Sequence, residues 1–499
     1  MVLGQSPQQA GRLETETDSC CGQQATQTLA ANGPVRTTRQ INGVRSFFIM
    51  SESRATFRLG NDTRSSALLF PAGVLQPPAA MGRLAIVGLL LSVAATLPAA
   101  AQSRNLFQSD MTLMNGMVPV EPMAGMRMPW HLMDVGIATA TYDHQGGPSG
   151  GDEGDSANWN MLHLQGSVGS GLLSVMMMNS IEEATFPKAG SHELFQTGET
   201  YQGRPLVDRQ HPHDFFMNLS ATYRFPLGPE AGLWLQVAPV GEPAIGPTAY
   251  MHRASAGENH TAPLSHHWQD STHIAFNVLT FGGGWKWFVL EGSVFHGAEP
   301  DENRWNIDGG KIDSATGRAR FLFPGGWSAQ VSYGFLKNPE PAEPGDLHRI
   351  SASVSYGAAG DRPLAISLIW GRNVEESGAS DSVLLEGAYQ ITALDQIYGR
   401  AEWVQKDFFL LLTKHFPPPG LPLRLANIGA FTAGYFRDFP ILRGLETGVG
   451  GDVTLYAFPA GLEPAYGSSP VSGHVFLRLR WGRAALVAME SGHSGHHAM

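Results

Sequence analysis

The stretch Phe215-Phe216-Met217-Asn218-Leu219-Ser220-Ala221-Thr222-Tyr223-Arg224-Phe225 carries a period of two. Phe215, Met217, Leu219, Ala221, Tyr223 and Phe225 form one face, and Asn218, Ser220, Thr222 and Arg224 fall on the other. Successive side chains of a β-strand point to opposite sides, so such a ribbon is oily on one side and polar on the other. Ile350, Ala352, Val354 and Tyr356 alternate in the same way with Arg349, Ser351, Ser353 and Ser355. So do Val471, Val475, Leu477, Leu479 and Trp481 with Ser472, His474, Arg478 and Arg480. Two all-β folds use this pattern. In a soluble sandwich the apolar face fills the core; in a membrane barrel it faces lipid.

The connections separate the two. Sixteen candidate strands run from 131–143 to 470–481, and the pattern bounds the number at about 14–18. Gly169-Ser170-Gly171, Leu227-Gly228-Pro229-Glu230, Gly282-Gly283-Gly284 and Pro324-Gly325-Gly326 suit tight reversals. Between them fall the long links 183–213, 241–270, 297–317 and 406–422. Tight turns at one end and long loops at the other predict a transmembrane antiparallel β-barrel with short periplasmic turns and long extracellular loops. Trp130, Phe225, Trp234, Phe281, Trp285, Trp327, Trp403 and Trp481 stand near strand ends, where interfacial aromatic girdles are expected.

Composition agrees. The 499 residues are 42% hydrophobic and only 15% charged, and a mean hydropathy of -0.12 excludes a polytopic helical membrane protein. A formal charge of -11 argues against nucleic acid as a partner. Residues 81–101 have the form of a secretory signal: Arg83 at the start, an apolar run from Leu84 to Val93, and Ala99 with Ala101 before Gln102. Residues 1–80, which hold both cysteines, Cys20 and Cys21, are expected to be an upstream extension with little structure. The thiol-free remainder fits an exported chain that makes no use of disulfides. It divides into a Met-rich periplasmic arm (102–129), the barrel (130–481) and a His-containing tail (482–499).

Over 130–481 this architecture resembles the bacterial outer-membrane β-barrels, porin-like in size. The resemblance implies outer-membrane lipid around the strands, folding by the barrel-assembly machinery, and passage or binding of small solutes; it also allows an oligomer. It rests on architecture rather than on a motif. The tail after Trp481 departs from barrels that finish on a terminal aromatic strand.

All 18 histidines follow the signal, and seven lie between His211 and His273. His211, His213 and Asp214 make one cluster; His266, His267, Asp270 and His273 make another. Imidazole and carboxylate are ligands that Zn and Cu share, and two clusters at the tops of neighbouring strands could converge on one ion. Parity places His273 on a polar strand face with Asn277. The alternative is that these histidines hydrogen-bond within ordered loops folded into the barrel mouth. Met111, Met114, Met117, Met123, Met126, Met128 and Met133 resemble the methionine-rich regions of copper-resistance proteins, thioether sulfur being suited to Cu(I); they could equally be gap-filling hydrophobes. His493, His496 and His497 form a third feature of the same kind. The expectation is a barrel that passes or binds small solutes, linked to copper or another heavy metal. The rivals are a passive barrel with a loop-plugged lumen and an outer-membrane hydrolase built on Ser265 or Ser271 with a neighbouring histidine and Asp270. No hydrolase, metalloprotease, phosphate-loop or dinucleotide motif accompanies the latter.

Overall fold

The computed structural model describes residues 129–482, except 229, 341–344, 359–361, 419–423, 440 and 442–444. The proposed extension, signal and tail, and all but the last residue of the Met-rich arm, lie outside the described residues. Nineteen strands follow in order: β1 (His131–Gln145), β2 (Gly151–Asp155), β3 (Asn158–Val168), β4 (Gly171–Asn179), β5 (Ser191–Tyr201), β6 (Arg204–Gln210), β7 (Phe216–Gly228), β8 (Ala231–Gly241), β9 (Ala275–Trp285) and β10 (Phe288–His296). Then come β11 (Ser314–Phe323), β12 (Trp327–Leu336), β13 (Leu347–Ala358), β14 (Leu364–Glu375), β15 (Gly378–Gln390), β16 (Asp395–Asp407), β17 (Leu425–Asp438), β18 (Leu445–Ala457) and β19 (Val471–Trp481).

Sixteen of these, all but β2, β5 and β6, form an antiparallel barrel in which each strand pairs with the next and β1 pairs with β19 to close it. The closing register sets Gly136 beside Trp481 and Gln145 beside Ser472. Each of the sixteen overlaps one strand expected from the period. The three others belong to the outer end: β2 is a short return strand on the upper half of β1, and β5 and β6 pair as a separate hairpin.

Burial is inverted relative to a water-soluble protein. On the inward face Arg349, Ser351, Ser367 and Ser382 are fully buried, while outward Val331 is 49% exposed and Val475 59%. Apolar side chains left this bare around a closed sheet face hydrocarbon, and the closure removes every edge that lipid could not hydrogen-bond. The chain is an outer-membrane barrel, and the soluble-sandwich alternative falls.

Three expectations need correction. Gly282-Gly283-Gly284 is not a turn but part of β9, and the reversal falls at Lys286-Trp287. The outer connection between β14 and β15 is a two-residue turn, Glu376-Ser377, so the rim is low there and not uniformly long-looped. Trp234 is no girdle residue: it points inward at 7% exposure, whereas Trp130, Phe225, Phe281, Trp285 and Trp403 are exposed.

Candidate functional site

The loop 242–274, between β8 and β9, folds into the barrel and is fastened around much of its wall. At β10–β12, Ser293 Oγ accepts from Ala244 N at 2.7 Å, Ser332 Oγ accepts from Gly246 N at 2.9 Å, and Arg318 donates to Gly246 O at 2.9 Å. At β14 and β15, Arg253 Nε donates to Glu386 at 2.7 Å, Ser255 bonds Ser367 at 2.7 Å, and Trp268 Nε1 donates to Ser380 at 2.7 Å. At β16 Ser265 Oγ donates to Glu402 at 3.1 Å, and at β19 Glu258 pairs with Arg478. Arg253 also bonds Asp270 within the loop, which clips its two limbs together. Close approach is possible because Gly371 faces the Trp268 carbonyl: a Cβ there would lie 2.2 Å from that oxygen.

These contacts explain why the inward-facing wall charges are buried. Arg349, Arg400, Glu402 and Arg478 are buried and face inward as the alternation predicts. They hold the loop; they do not line an open bore at its level. A narrow crevice remains on the β19–β1–β3 side, lined by Thr139, Trp159, His213, Tyr250, His260 and Arg478 among others.

The two histidine clusters converge. From His211 the ring centres run to His213 at 6.4 Å, from there to His273 at 5.4 Å, then to His266 at 5.2 Å and to His267 at 5.4 Å. Each ring is oriented by an oxygen. His213 Nδ1 lies 2.7 Å from Glu182, His266 Nδ1 2.7 Å from Asp270, His267 Nδ1 3.0 Å from Glu340, and His273 Nδ1 2.9 Å from the Asp270 carbonyl. His211 Nε2 lies 2.7 Å from Glu199, which also pairs with Arg304, and Arg304 reaches Asp214 at 3.3 Å. The hydrogen-bonding role is therefore real for every one of them. Yet His213 Nε2 and His273 Nε2 are buried and have no partner. His267 stands apart: its ring nitrogen and carboxylate oxygens of Glu299 and Glu340 lie within 4.8 Å of one another, all three buried. Gly198, from the β5–β6 hairpin, makes room, since a Cβ there would sit 2.3 Å from the His267 ring.

Burial, and then the neighbouring His266 and His213, push His273 well below the usual imidazole range, and burial takes His266 down to about 4. Burial would lower His267 too, but Glu340 and Glu299 outweigh it and raise it to about 9. Burial followed by Glu340 raises Glu299 to about 8. At neutral pH His273 and His266 are neutral rings with lone pairs, which is the form that binds a metal.

Sequence reasoning missed Glu182, Glu199, Glu299 and Glu340, which face these rings, and Arg304, which pairs with Glu199 and Asp214. Glu182 opens a short helix, Glu199 lies in β5, Glu299 and Arg304 share the β10–β11 connection and Glu340 the β12–β13 one, so no single stretch gathers them. The faint signal was proline beside Glu299 and Glu340, whose segments meet where Glu299 N donates to the Pro339 carbonyl at 2.9 Å. The parity argument for His273 fails in detail: β9 begins only at Ala275, and Asn277 is exposed with a φ of 54°. His273 is half-buried in the turn that precedes the strand, with its Nε2 shielded. Met133 and Met176 are buried inward, and Met161, Met176, Met178 and Met217 pack with Val135, Ile274 and Phe276, the gap-filling role. Ser265 and Ser271 donate to Glu402 and Glu299, each at 3.1 Å. Among the described residues neither serine bonds a histidine, so the nucleophile–base pair of a hydrolase is not assembled here.

No family model matches the chain, and no curated protein matches it. Among solved structures it is similar to a loop-deletion mutant of OmpT, an outer membrane protein of Vibrio cholerae, at 9% identity over 70% of this chain and 99% of that chain, with a TM-score of 0.43. It is similar to OprB of Pseudomonas putida at 9% identity over 70% and 94% of the two chains, TM-score 0.44. Salmonella typhi OmpF in complex with daunomycin gives 11% identity over 71% and 100%, TM-score 0.41. At these scores the fold rests on this chain's own closed sheet.

Proposed function

We propose that this protein passes small polar solutes across the outer membrane, with loop 242–274 as the element that restricts the route. The observation that carries this reading is the combination of an apolar outer wall with a polar lumen in which one loop is fastened to most of the wall but leaves the crevice along β19, β1 and β3. A solute in that crevice meets Thr139, His260 and the Arg478–Glu258 pair beside Trp159, Met251 and Phe476, a lining of polar and apolar groups without a strong excess of one sign of charge. Groups lining a pore at close quarters set which solutes pass. The test is conductance of the purified full-length protein in planar bilayers, with uptake of small neutral and charged solutes into liposomes. Discrete conductance steps of small size support the reading; a sealed bilayer at all voltages together with impermeant liposomes sinks it.

A second reading is favoured by a specific observation, the unpartnered buried nitrogens of His213 and His273 beside the His267–Glu299–Glu340 set. In it the plug carries a site for a borderline divalent ion such as Zn or Cu, with Glu182 and Asp270 acting through the rings they orient, as carboxylates do behind metal-bound histidines. Zn titration of the purified protein, with saturable binding expected and none contradicting it, tests this independently of conductance.

A further inference from the structure

A second group of carboxylates lies outside the histidine cluster. Asp143 and Glu153 are directly opposed in the register of β1 and β2, and Asp155 stands diagonally on the same face opposite Thr141. Like charges directly opposed across a strand pair are destabilising. The oxygens of the three groups lie within 4.8 Å of one another. Their partners are incomplete. Glu153 meets Arg209 at 3.3 Å and His192 at 3.2 Å; Asp143 Oδ1 accepts from Gln145 at 2.8 Å, with His474 3.2 Å away, but His474 is shared with Asp452. Asp155 Oδ2 accepts from Ser191. That leaves Asp143 Oδ2, in a side chain with no exposure at all, and Asp155 Oδ1, both buried and without a hydrogen-bond partner. A buried carboxylate oxygen with no donor is costly unless a cation completes it.

We propose that Asp143, Glu153 and Asp155 bind a hard divalent cation, Ca²⁺ foremost, at the outer rim of the barrel. The donor set is all oxygen, which suits Ca²⁺, Mg²⁺ or Mn²⁺ and not the softer ions that the histidines would take. The site joins separate parts of the mouth. Asp143 belongs to the wall, Glu153 and Asp155 to the return strand, and both of these hold the β5 end of the inner hairpin, through the His192 amide on Glu153 and the Ser191 hydroxyl on Asp155. A bound cation removes the repulsion between β1 and β2 and braces that hairpin against the wall.

The test is isothermal titration of full-length protein in detergent with CaCl₂, then MgCl₂ and MnCl₂, alongside thermal melting. Saturable Ca²⁺ binding with a Kd on the order of 0.1–1 mM, the range of extracellular calcium modules, is the expected result. Asp143→Asn and Asp155→Asn should each weaken it at least tenfold, and His213→Ala with His273→Ala should leave it unchanged. Sheet circular dichroism identifies variants that fold, and Glu153→Gln serves if either aspartate variant does not. Wild-type protein with neither saturable heat nor a melting shift up to about 10 mM Ca²⁺ overturns the proposal whatever the variants do. So does a folded aspartate variant that binds as the wild type does.

Discussion

The rings of His213 and His273 lie 5.4 Å apart, centre to centre, and in each the Nδ1 edge faces an oxygen while Nε2 is buried without a partner. One ring follows the inner hairpin and the other ends the plug loop, so their meeting ties two outer loops at one point.

If that point takes a metal, Zn²⁺ should bind the wild-type protein, and His213→Ala with His273→Ala should weaken binding at least tenfold or move it to the His267–Glu299–Glu340 set alone. Titration of the double variant beside His267→Ala distinguishes these. Unaltered Zn²⁺ affinity in both variants contradicts a metal role for the histidines.

Arg253 joins Glu386 on the wall to Asp270 within the loop, and all three side chains are buried. Arg253→Ala leaves Asp270 without its arginine and Glu386 with only Arg400 at 3.6 Å, and breaking such a buried pair costs about 3–5 kcal/mol. The expected outcome is a plug that releases from β15: larger or noisier conductance and a lower melting temperature. An unchanged conductance with a lowered melting temperature would mean that the loop stays in place without this fastening.

Gly371 tests packing rather than charge. Gly371→Val introduces a Cβ that would lie 2.2 Å from the Trp268 carbonyl, with no flexible side chain to yield. The loop must shift, so Trp268 loses its contact with Ser380 and its fluorescence should become more solvent-quenchable.

Glu242 and Glu193 predict a pH response. Burial raises Glu242 to about 7 despite Arg318, and burial with Glu402 raises Glu193 to about 8 despite Arg400, His474 and Lys406. A carboxyl whose folded pKa is raised binds more protons when folded, so stability falls as pH rises between the unfolded value near 4 and the folded one. Asp270 works in the opposite sense: burial would raise it, but Arg253 and His266 hold it below the ordinary range, and its contribution is lost only on strong acidification. His266 and His273, lowered by burial, oppose the raised carboxyls below about pH 6.5, where the unfolded rings take up protons that the folded ones do not. Above it the carboxyls act unopposed, so loop docking should loosen as pH rises from about 6.5 towards 8. Conductance rising across that interval checks it; a fall would contradict the assignment.

The barrel was legible because lipid on one side and loop or water on the other impose a period of two, visible at Phe215–Phe225 and again at Val471–Trp481. The inner hairpin was not. Leu194 and Phe195 are adjacent apolar residues, Phe195 takes a φ of 67°, and the strand never presents one oily face. Gly151-Asp152-Glu153-Gly154-Asp155 reads as an acidic loop, and only its pairing with β1 makes it a strand. The histidines could be named from sequence because they are dense. The carboxylates and the arginine around them could not, since Glu182, the Glu299–Arg304 loop and Glu340 come from three separate outer connections that only ring closure brings together.

The most direct measurement is single-channel conductance of the wild type against a variant in which residues 247–270 are replaced by a short Gly-Ser link, both inserted in planar bilayers at the same salt concentration. A restricting loop predicts a several-fold larger step in the shortened variant, with the sheet circular dichroism unchanged. Equal steps in two equally folded proteins would contradict the claim that this loop sets the route.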